Sequence, residues 1–326
     1  MKIRLLSEKD IRAVAPPLPD MVALVERAYR LDAEGQADVP TKIGVHPDRK
    51  NSFLHAMPAW VNGEGARSLG MKWVSYFPGN LKEGLPDSTG IIILNDPDVG
   101  LPRCIMEGMY VTFVRTAACA AVAARHLAAR PPTSLGLIGC GGLGLWSLRA
   151  LKATFPSIER VHVSSRTARS REEFCAKMSP EARWTLAPVA DPLEAVQDMD
   201  IIVTSIPPGD LRPVPGDALA PGSILIPLDV VNSWQDDVLS RVDRVLSDNP
   251  ANFSAQVKAR RSTALPALKP VGRTQDVVAG RSPRGSASER NLLVVSGIAS
   301  TDVVIGWEIY RRACAANVGF EFDLQG

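Results

Sequence analysis

Apolar residues recur at helical spacing through Met21, Val22, Leu24, Val25, Ala28, Tyr29 and Leu31. They predict a helix over "PDMVALVERAYRLDAEGQ", with Asp20 as its N-cap. The pattern then shortens. "KIGVH", "SFLHAMPAW", "GMKWVSYF" and "GIIILND" read as strands parted by turns, and the Pro and Gly signals of "NDPDVGLP" predict a hairpin. "MYVTFVRTAACAAVAARHLA" predicts a long helix whose small residues allow close packing. From Leu135 the elements alternate. "LGLIG", "RVHVSS", "DIIVTSI" and "SILIPLDV" read as strands; "GLWSLRALKATF", "SREEFCAKM" and a segment near "PLEAVQ" read as helices. Continuous apolar strands between helices predict a parallel sheet covered on both faces. The polar stretch from Lys258 to Asn291 reads as loop-heavy, and "GIASTDVVIGWEIYRRACAANVG" as a final helix.

This order predicts one domain inserted into another. Residues 1–128 and 300–326 form an α+β domain, and residues 129–299 form a doubly wound parallel sheet between its halves.

"GCGGLG" stands between the first strand and first helix of the inserted domain. Gly139, Gly141 and Gly144 give the spacing of a Rossmann-type dinucleotide loop. The first suits a tight turn, the second a close approach to pyrophosphate, and the third tight helix–strand contact. Gly142 and Leu143 lie in the same loop, where phosphates meet unpaired N–H groups at a helix N-terminus. An NAD site usually carries an acid at the end of the second strand. Here "VHVSSRTARS" offers Ser164 and Ser165, then Arg166, Thr167 and Arg169. Without a carboxylate, a 2′-phosphate is not repelled, and Ser165, Arg166, Thr167 and Arg169 become its candidate ligands. The reading favours NADP(H), with NAD(H) as the alternative. In the plainer reading Ser165 or Thr167 caps the next helix and the arginines are solvated. Thr204 and Ser205, at the end of "DIIVTSI", are also counted with the cofactor-binding residues.

Charge and composition narrow the function. Thirty-seven basic against 35 acidic residues argue against a nucleic-acid surface. Cysteines at 104, 119, 140, 175 and 314 form no CxxC and suit free thiols in a reducing compartment. The four histidines form no metal motif, so no metal is expected. There is no signal-peptide core and no apolar run long enough to span a membrane, so a soluble cytoplasmic protein is expected.

A reductase also needs groups that hold substrate and move a proton. Lys72 lies in the apolar strand "GMKWV", Arg115 at the start of the Ala-rich helix, and Lys42 on a strand after a Pro. Three cations in one domain are candidates for holding an α-carboxylate, with Arg115 the best bidentate partner. Taken singly, each also reads as an ordinary ion-paired residue. Asp229 follows the apolar run 224–228. Ligands bind outside the carboxyl ends of parallel strands, and an unpaired core acid is costly, so Asp229 reads as functional.

"AMPAW", "GMKWV", "FPGN", "GLP", "IMEGMYVTFVRTAA", "GCGGLG" and "GIASTD" together resemble the ornithine cyclodeaminase/μ-crystallin family over nearly the whole chain. The resemblance implies a Rossmann domain inserted into a substrate-binding and dimerisation domain, and a homodimer. It implies that Lys72 and Arg115 bind the substrate carboxylate, with Lys72 near the proton-transfer step. Asp229 would be the acid/base partner beside the nicotinamide, and Thr116 would face the cofactor. Lys42 falls where the family commonly has Arg. His55 falls where the ornithine-specific enzyme has Glu, which weighs against a substrate with a distal ammonium group. Leu143 and Gly144 replace a frequent Gln-Ala pair, and Glu107 replaces Asp. The first function this implies is NAD(P)H-dependent reduction of an imine beside a carboxylate to an L-amino acid. The alternatives are an ornithine cyclodeaminase-type lyase with bound NAD and a non-catalytic, μ-crystallin-like binding protein.

Overall fold

The computed structural model describes residues 1–207, 214–260 and 269–326. They form two compact units, Met1–Arg115 with Gly297–Gly326, and Thr116–Ser296.

The first unit begins with strand β1 (Lys2–Leu6) and helix α1 (Glu8–Val14), neither of which the apolar pattern predicts. Ser7 and Asp10 start α1 with a capping box. Helix α2 (Leu18–Ala33) follows the predicted periodicity, but its N-cap is Pro17 and Asp20 sits inside the first turn. Proline has no N–H to satisfy there, and the Asp20 carboxylate still complements the helix dipole. Strands β2 (Ala37–Asp38), β3 (Ile43–Val45), β4 (Phe53–Val61), β5 (Ser68–Tyr76), β6 (Ser88–Asn95) and β7 (Pro102–Glu107) follow. β6 and β7 form the predicted antiparallel hairpin. Helix α3 (Met109–Leu127) comes next, its N-terminus held by Glu107, whose carboxylate accepts from Met109 N at 2.5 Å and Tyr110 N at 3.0 Å.

The second unit runs through β8 (Ser134–Ile138), α4 (Gly142–Thr154), β9 (Arg160–Ser164), α5 (Ala168–Met178), β10 (Thr185–Pro188), β11 (Ile201–Thr204) and β12 (Ile224–Pro227). It continues through α6 (Val238–Arg241), β13 (Arg244–Ser247), α7 (Pro250–Arg260), β14 (Val271–Arg273), α8 (Thr274–Val278) and β15 (Asn291–Val294). The sheet order is β10-β9-β8-β11-β12-β15-β13-β14, with every pair parallel. β8, β11, β12 and β15 are buried along their whole length, as their unbroken apolar runs require. The chain winds outward in both directions from β8 and β11, so the switch point of the sheet lies between them.

Two segments of this unit differ from the pattern reading. "PLEAVQ" forms turns rather than a helix: Asp191 accepts from Leu193 N, Ala195 and Val196 bond back three residues, and a single bond, Gln197 N to Leu193 O, reaches back four. Ala195, in these turns, lies against β8; a Cβ on Gly136 would fall 1.9 Å from its carbonyl oxygen. The polar stretch 258–291 contains β14 and α8, because Val277 and Val278 are buried. Its residues 261–268 lie outside the described residues.

The chain returns to the first unit with α9 (Ala299–Ala316) and strand β16 (Phe320–Asp323), which the sequence reading leaves unassigned. β16 pairs antiparallel with β1, placing Asp323 opposite Lys2. The sheet order is β16-β1-β7-β6-β5-β4-β2, with β3 on β4. α9 lies across β4, β5 and β6 and packs on α1 and α2. Register sets Met57, Lys72 and Ile92 side by side, all buried. The opposite face leaves Trp60, Trp73 and Ile91 exposed.

Candidate functional site

Three charged side chains of the first unit meet in its interior. β5 carries Lys72, 1% exposed; α3 carries Arg115, 6% exposed; the first turn of α9 carries Asp302, 0% exposed. Lys72 Nζ donates to Asp302 Oδ1 at 2.8 Å, and Arg115 Nε donates to the same oxygen at 3.0 Å. Asp302 Oδ2 has no hydrogen-bond partner among the described residues. Two cations therefore face one carboxylate in a dry setting, where uncompensated charge is costly. Burial, and then Arg115, lower the Lys72 amine to about 7, against the raising effect of Asp302.

Several details sharpen or correct the sequence reading. Arg115 lies inside α3 rather than at its start, because the helix begins at Met109. Lys72 is fully buried, on the face of the sheet that α9 covers. Lys42 precedes β3 instead of lying on it, since the strand begins at Ile43. Gly297 has φ +83°, and a Cβ there would fall 2.8 Å from Arg115 Nη1. His55 lies on β4 with its ring stacked on Phe53, centroids 4.1 Å apart. Gly44 lies opposite it in register, and a Cβ there would meet the ring at 2.2 Å. Burial, then Lys42, His46 and Lys72, lower the His55 imidazole to about 4, so it is neutral at neutral pH.

In the second unit the glycine loop has the geometry of a phosphate cradle. Gly139 takes φ +115°, and a Cβ on it would crowd Ser205 O at 2.6 Å and Ser205 Oγ at 2.7 Å. Gly141 is the N-cap of α4, with no side-chain cap and open space around its missing Cβ. Gly142 and Leu143 open the helix. The N–H groups of that first turn therefore fit a pyrophosphate. A Cβ on Gly144 would fall 2.1 Å from Gly139 O, between backbone segments that cannot yield cheaply. Gly144→Ala is expected to weaken dinucleotide binding at least tenfold in an NADH fluorescence titration; unchanged affinity would remove this loop from the cofactor site.

At the end of β9, no acid stands between Ser164 and Ala168. Ser165 Oγ donates to Thr167 O at 3.1 Å, and Thr167 Oγ1 caps α5 by accepting from Ser170 N at 3.2 Å. Arg169 pairs with Glu173 at 2.7 Å on the exposed face of α5. Thr167 and Arg169 thus have structural partners, while Arg166 is exposed at the turn.

Asp229 follows β12, buried at 7% exposure. Its Oδ1 accepts from Thr204 Oγ1 at 3.1 Å, and its Oδ2 accepts from Ile206 N at 3.3 Å and from Ser233 Oγ. Burial raises the carboxyl above the ordinary range; the bonds from Ser233, Ile206 and Thr204 pull the other way. Val230 and Val231 follow with φ 53° and 57°, a left-handed conformation that β-branched residues rarely adopt. This strained turn brings Ser233 back onto the carboxylate.

Asp302, Gly297 and Ser233 carry no role in the sequence reading. "GIASTD" marks two of them as a motif, but nothing in its spacing says which cations they meet. Thr116 is buried in α3, next to Arg115. Among the described residues no group of three His, Cys, Asp or Glu could hold a metal. No described helix is long and apolar enough to cross a membrane.

An all-parallel sheet with a glycine loop at its switch point, inserted into a second α+β unit, defines a Rossmann-type dinucleotide-binding class of protein. The chain belongs to the ornithine cyclodeaminase/mu-crystallin family, whose sequence profile matches residues 5–317. It is 31% identical over 318 residues to a nodulation efficiency protein of Rhizobium meliloti, covering 97% of each chain. It is 26% identical over 268 residues to a delta(1)-pyrroline-2-carboxylate reductase of Bacillus cereus, covering 78% of this chain and 81% of that one. A solved archaeal alanine dehydrogenase dimer with bound NAD superposes with a TM-score of 0.87 at 25% identity, covering 99% of this chain and 100% of that one.

Proposed function

We propose that this protein reduces an imine beside a carboxylate to an amino acid, using a reduced nicotinamide dinucleotide. The observation that carries the reading is the buried Lys72–Asp302–Arg115 cluster, in which two basic side chains meet at one carboxylate oxygen. When bound, the dinucleotide supplies the hydride. Backbone groups of Gly139, Gly141, Gly142, Leu143 and Gly144 hold its phosphates, with Thr116, Thr204 and Ser205 as further contacts. Lys72 and Arg115 hold the substrate carboxylate and fix its orientation. Asp229 holds or passes the proton that the nitrogen gains, directly or through water. Lys42 adds positive charge near the carboxylate, and neutral His55 provides no counter-charge for a distal ammonium. The pyrroline-carboxylate reductase and alanine dehydrogenase relatives are consistent with chemistry at a carbon that bears nitrogen and a carboxylate.

A panel of cyclic imines, of 2-oxo acids with ammonia or methylamine, and of ornithine, each with NADH and NADPH, tests the reading. Oxidation of the cofactor by a carboxylated imine supports it. Ammonia release from ornithine without net cofactor change would replace it with a cyclodeaminase.

The missing acid after β9 favours NADPH, with NADH as the alternative that the NAD-bound relative keeps open. Arg166→Ala is expected to weaken NADPH about tenfold and NADH little, the loss of one charge-assisted contact to a phosphate. Equal weakening of both in a fluorescence titration overturns the 2′-phosphate assignment. The exposed Trp60, Trp73 and Ile91 face suits burial in a homodimer. The five free cysteines suit a cytoplasmic setting.

A further inference from the structure

We propose that Asp302 is the positioning residue of the carboxylate anchor: its one shared oxygen holds Lys72 and Arg115 side by side to meet the substrate. The proposal rests on the reading of Lys72 and Arg115 as the anchor.

Three observations lead to it. First, Asp302 is completely buried and reaches its partners from another part of the chain, 230 residues from Lys72 and 187 from Arg115. A carboxylate taken so far from water is costly unless strongly paired, and both pairing groups here are cations. Second, the bond geometry is divided. One oxygen takes both donors, while Oδ2 has no partner among the described residues. A carboxylate serving only to neutralise a pair would be expected to spread its donors over both oxygens. Sharing one oxygen instead draws Nζ of Lys72 and Nε of Arg115 to a common point, so that both cations border the same place. Third, Asp302 sits in the first turn of α9, where the helix dipole favours a negative charge. The carboxylate is thus held in place by the fold before any substrate arrives.

The charges that face Lys72 give the sign of the effect. Among the described residues they are Arg115 from α3, Lys42 ahead of β3, His55 from β4 and Asp302 from α9. Asp302 is the negative one among them, and it acts to raise the proton affinity of Lys72 while burial and Arg115 lower it. Removing the charge but not the shape of Asp302 should therefore make Lys72 lose its proton at lower pH. A purely structural role would not move that titration.

The test compares Asp302→Asn and Asp302→Glu with the parent protein, each with saturating reduced cofactor. One readout is kcat/KM for a carboxylated imine across neutral and alkaline pH. The other is calorimetric binding of pyrrole-2-carboxylate, a carboxylate that is not reduced, over the same range. Asp302→Asn should raise KM and Kd at least tenfold. It should also move the alkaline limb of both profiles about one pH unit toward acid, the scale of losing one opposite charge at contact. Asp302→Glu keeps the charge but moves the shared oxygen, so KM should rise while the limb stays in place. An alkaline limb unchanged in Asp302→Asn, or a parent-like KM in Asp302→Glu, overturns the proposal. If Asp302→Asn does not fold, the Glu variant decides by the KM criterion alone. If the parent reduces no imine yet binds pyrrole-2-carboxylate, the reaction assignment fails, and the binding profiles still judge Asp302.

Discussion

Lys72→Ala is expected to lower kcat/KM for a carboxylated imine by about a thousandfold, the combined loss of a buried charge-assisted contact and of the substrate orientation it fixes, while reduced cofactor still binds. In the native cluster, two cations surround one carboxylate. Deleting Lys72 removes one of the two basic groups that meet at Asp302 Oδ1, and with it one of the two proposed contacts to a substrate carboxylate. The native enzyme also carries a pH signature. Lys72 loses its proton as pH rises through about 7, so binding of the substrate carboxylate should weaken on the alkaline side of that value. The Ala variant should have no such limb. Full turnover by Lys72→Ala, with thermal unfolding showing an intact fold, would end the catalytic reading of this cluster.

Asp229→Asn is expected to lower kcat about a hundredfold or more, with KM and cofactor affinity changed little. The amide has nearly the shape of the carboxyl, but it cannot take up or release the proton. Burial holds the native carboxyl protonated to higher pH than an exposed acid, against the hydrogen bonds from Ser233, Ile206 and Thr204. The substitution should therefore also erase the acid-side limb of the kcat profile. Pre-steady-state cofactor oxidation separates this from slow product release. A variant whose hydride-transfer rate equals that of the parent would show that Asp229 is not the proton-handling group.

Local pattern carried much of the architecture. The apolar runs of β8, β11 and β12, the hairpin of β6 and β7, and the glycine loop are each set by neighbours in sequence, and each was legible there. The same holds for Lys72 as a polar break in an apolar strand. What it meets was not legible, because Asp302 lies 230 residues away and only the crossing of α9 over the sheet joins them. β16 was missed for a related reason: its residues are all exposed, and it exists by completing the edge beside β1. The "PLEAVQ" segment shows the reverse case, where one Asx bond outweighs helical spacing. At Val230 and Val231, residue type argues against the conformation they take, so no propensity could have announced it.

The pairing of Lys2 with Asp323 has a consequence for how the protein is made. Unit Thr116–Ser296 is a continuous stretch, and its parallel sheet can close before α9 leaves the ribosome. The other unit cannot. Until Ala299–Ala316 is synthesised, Met57, Ile92 and Leu94 lack their covering helix, and Lys72 and Arg115 lack their counter-charge. The nascent chain thus carries one closed parallel sheet and one uncovered apolar sheet, the kind of intermediate that chaperones guard. Synthesis of α9 thus both seals a core and brings Asp302 to Lys72 and Arg115.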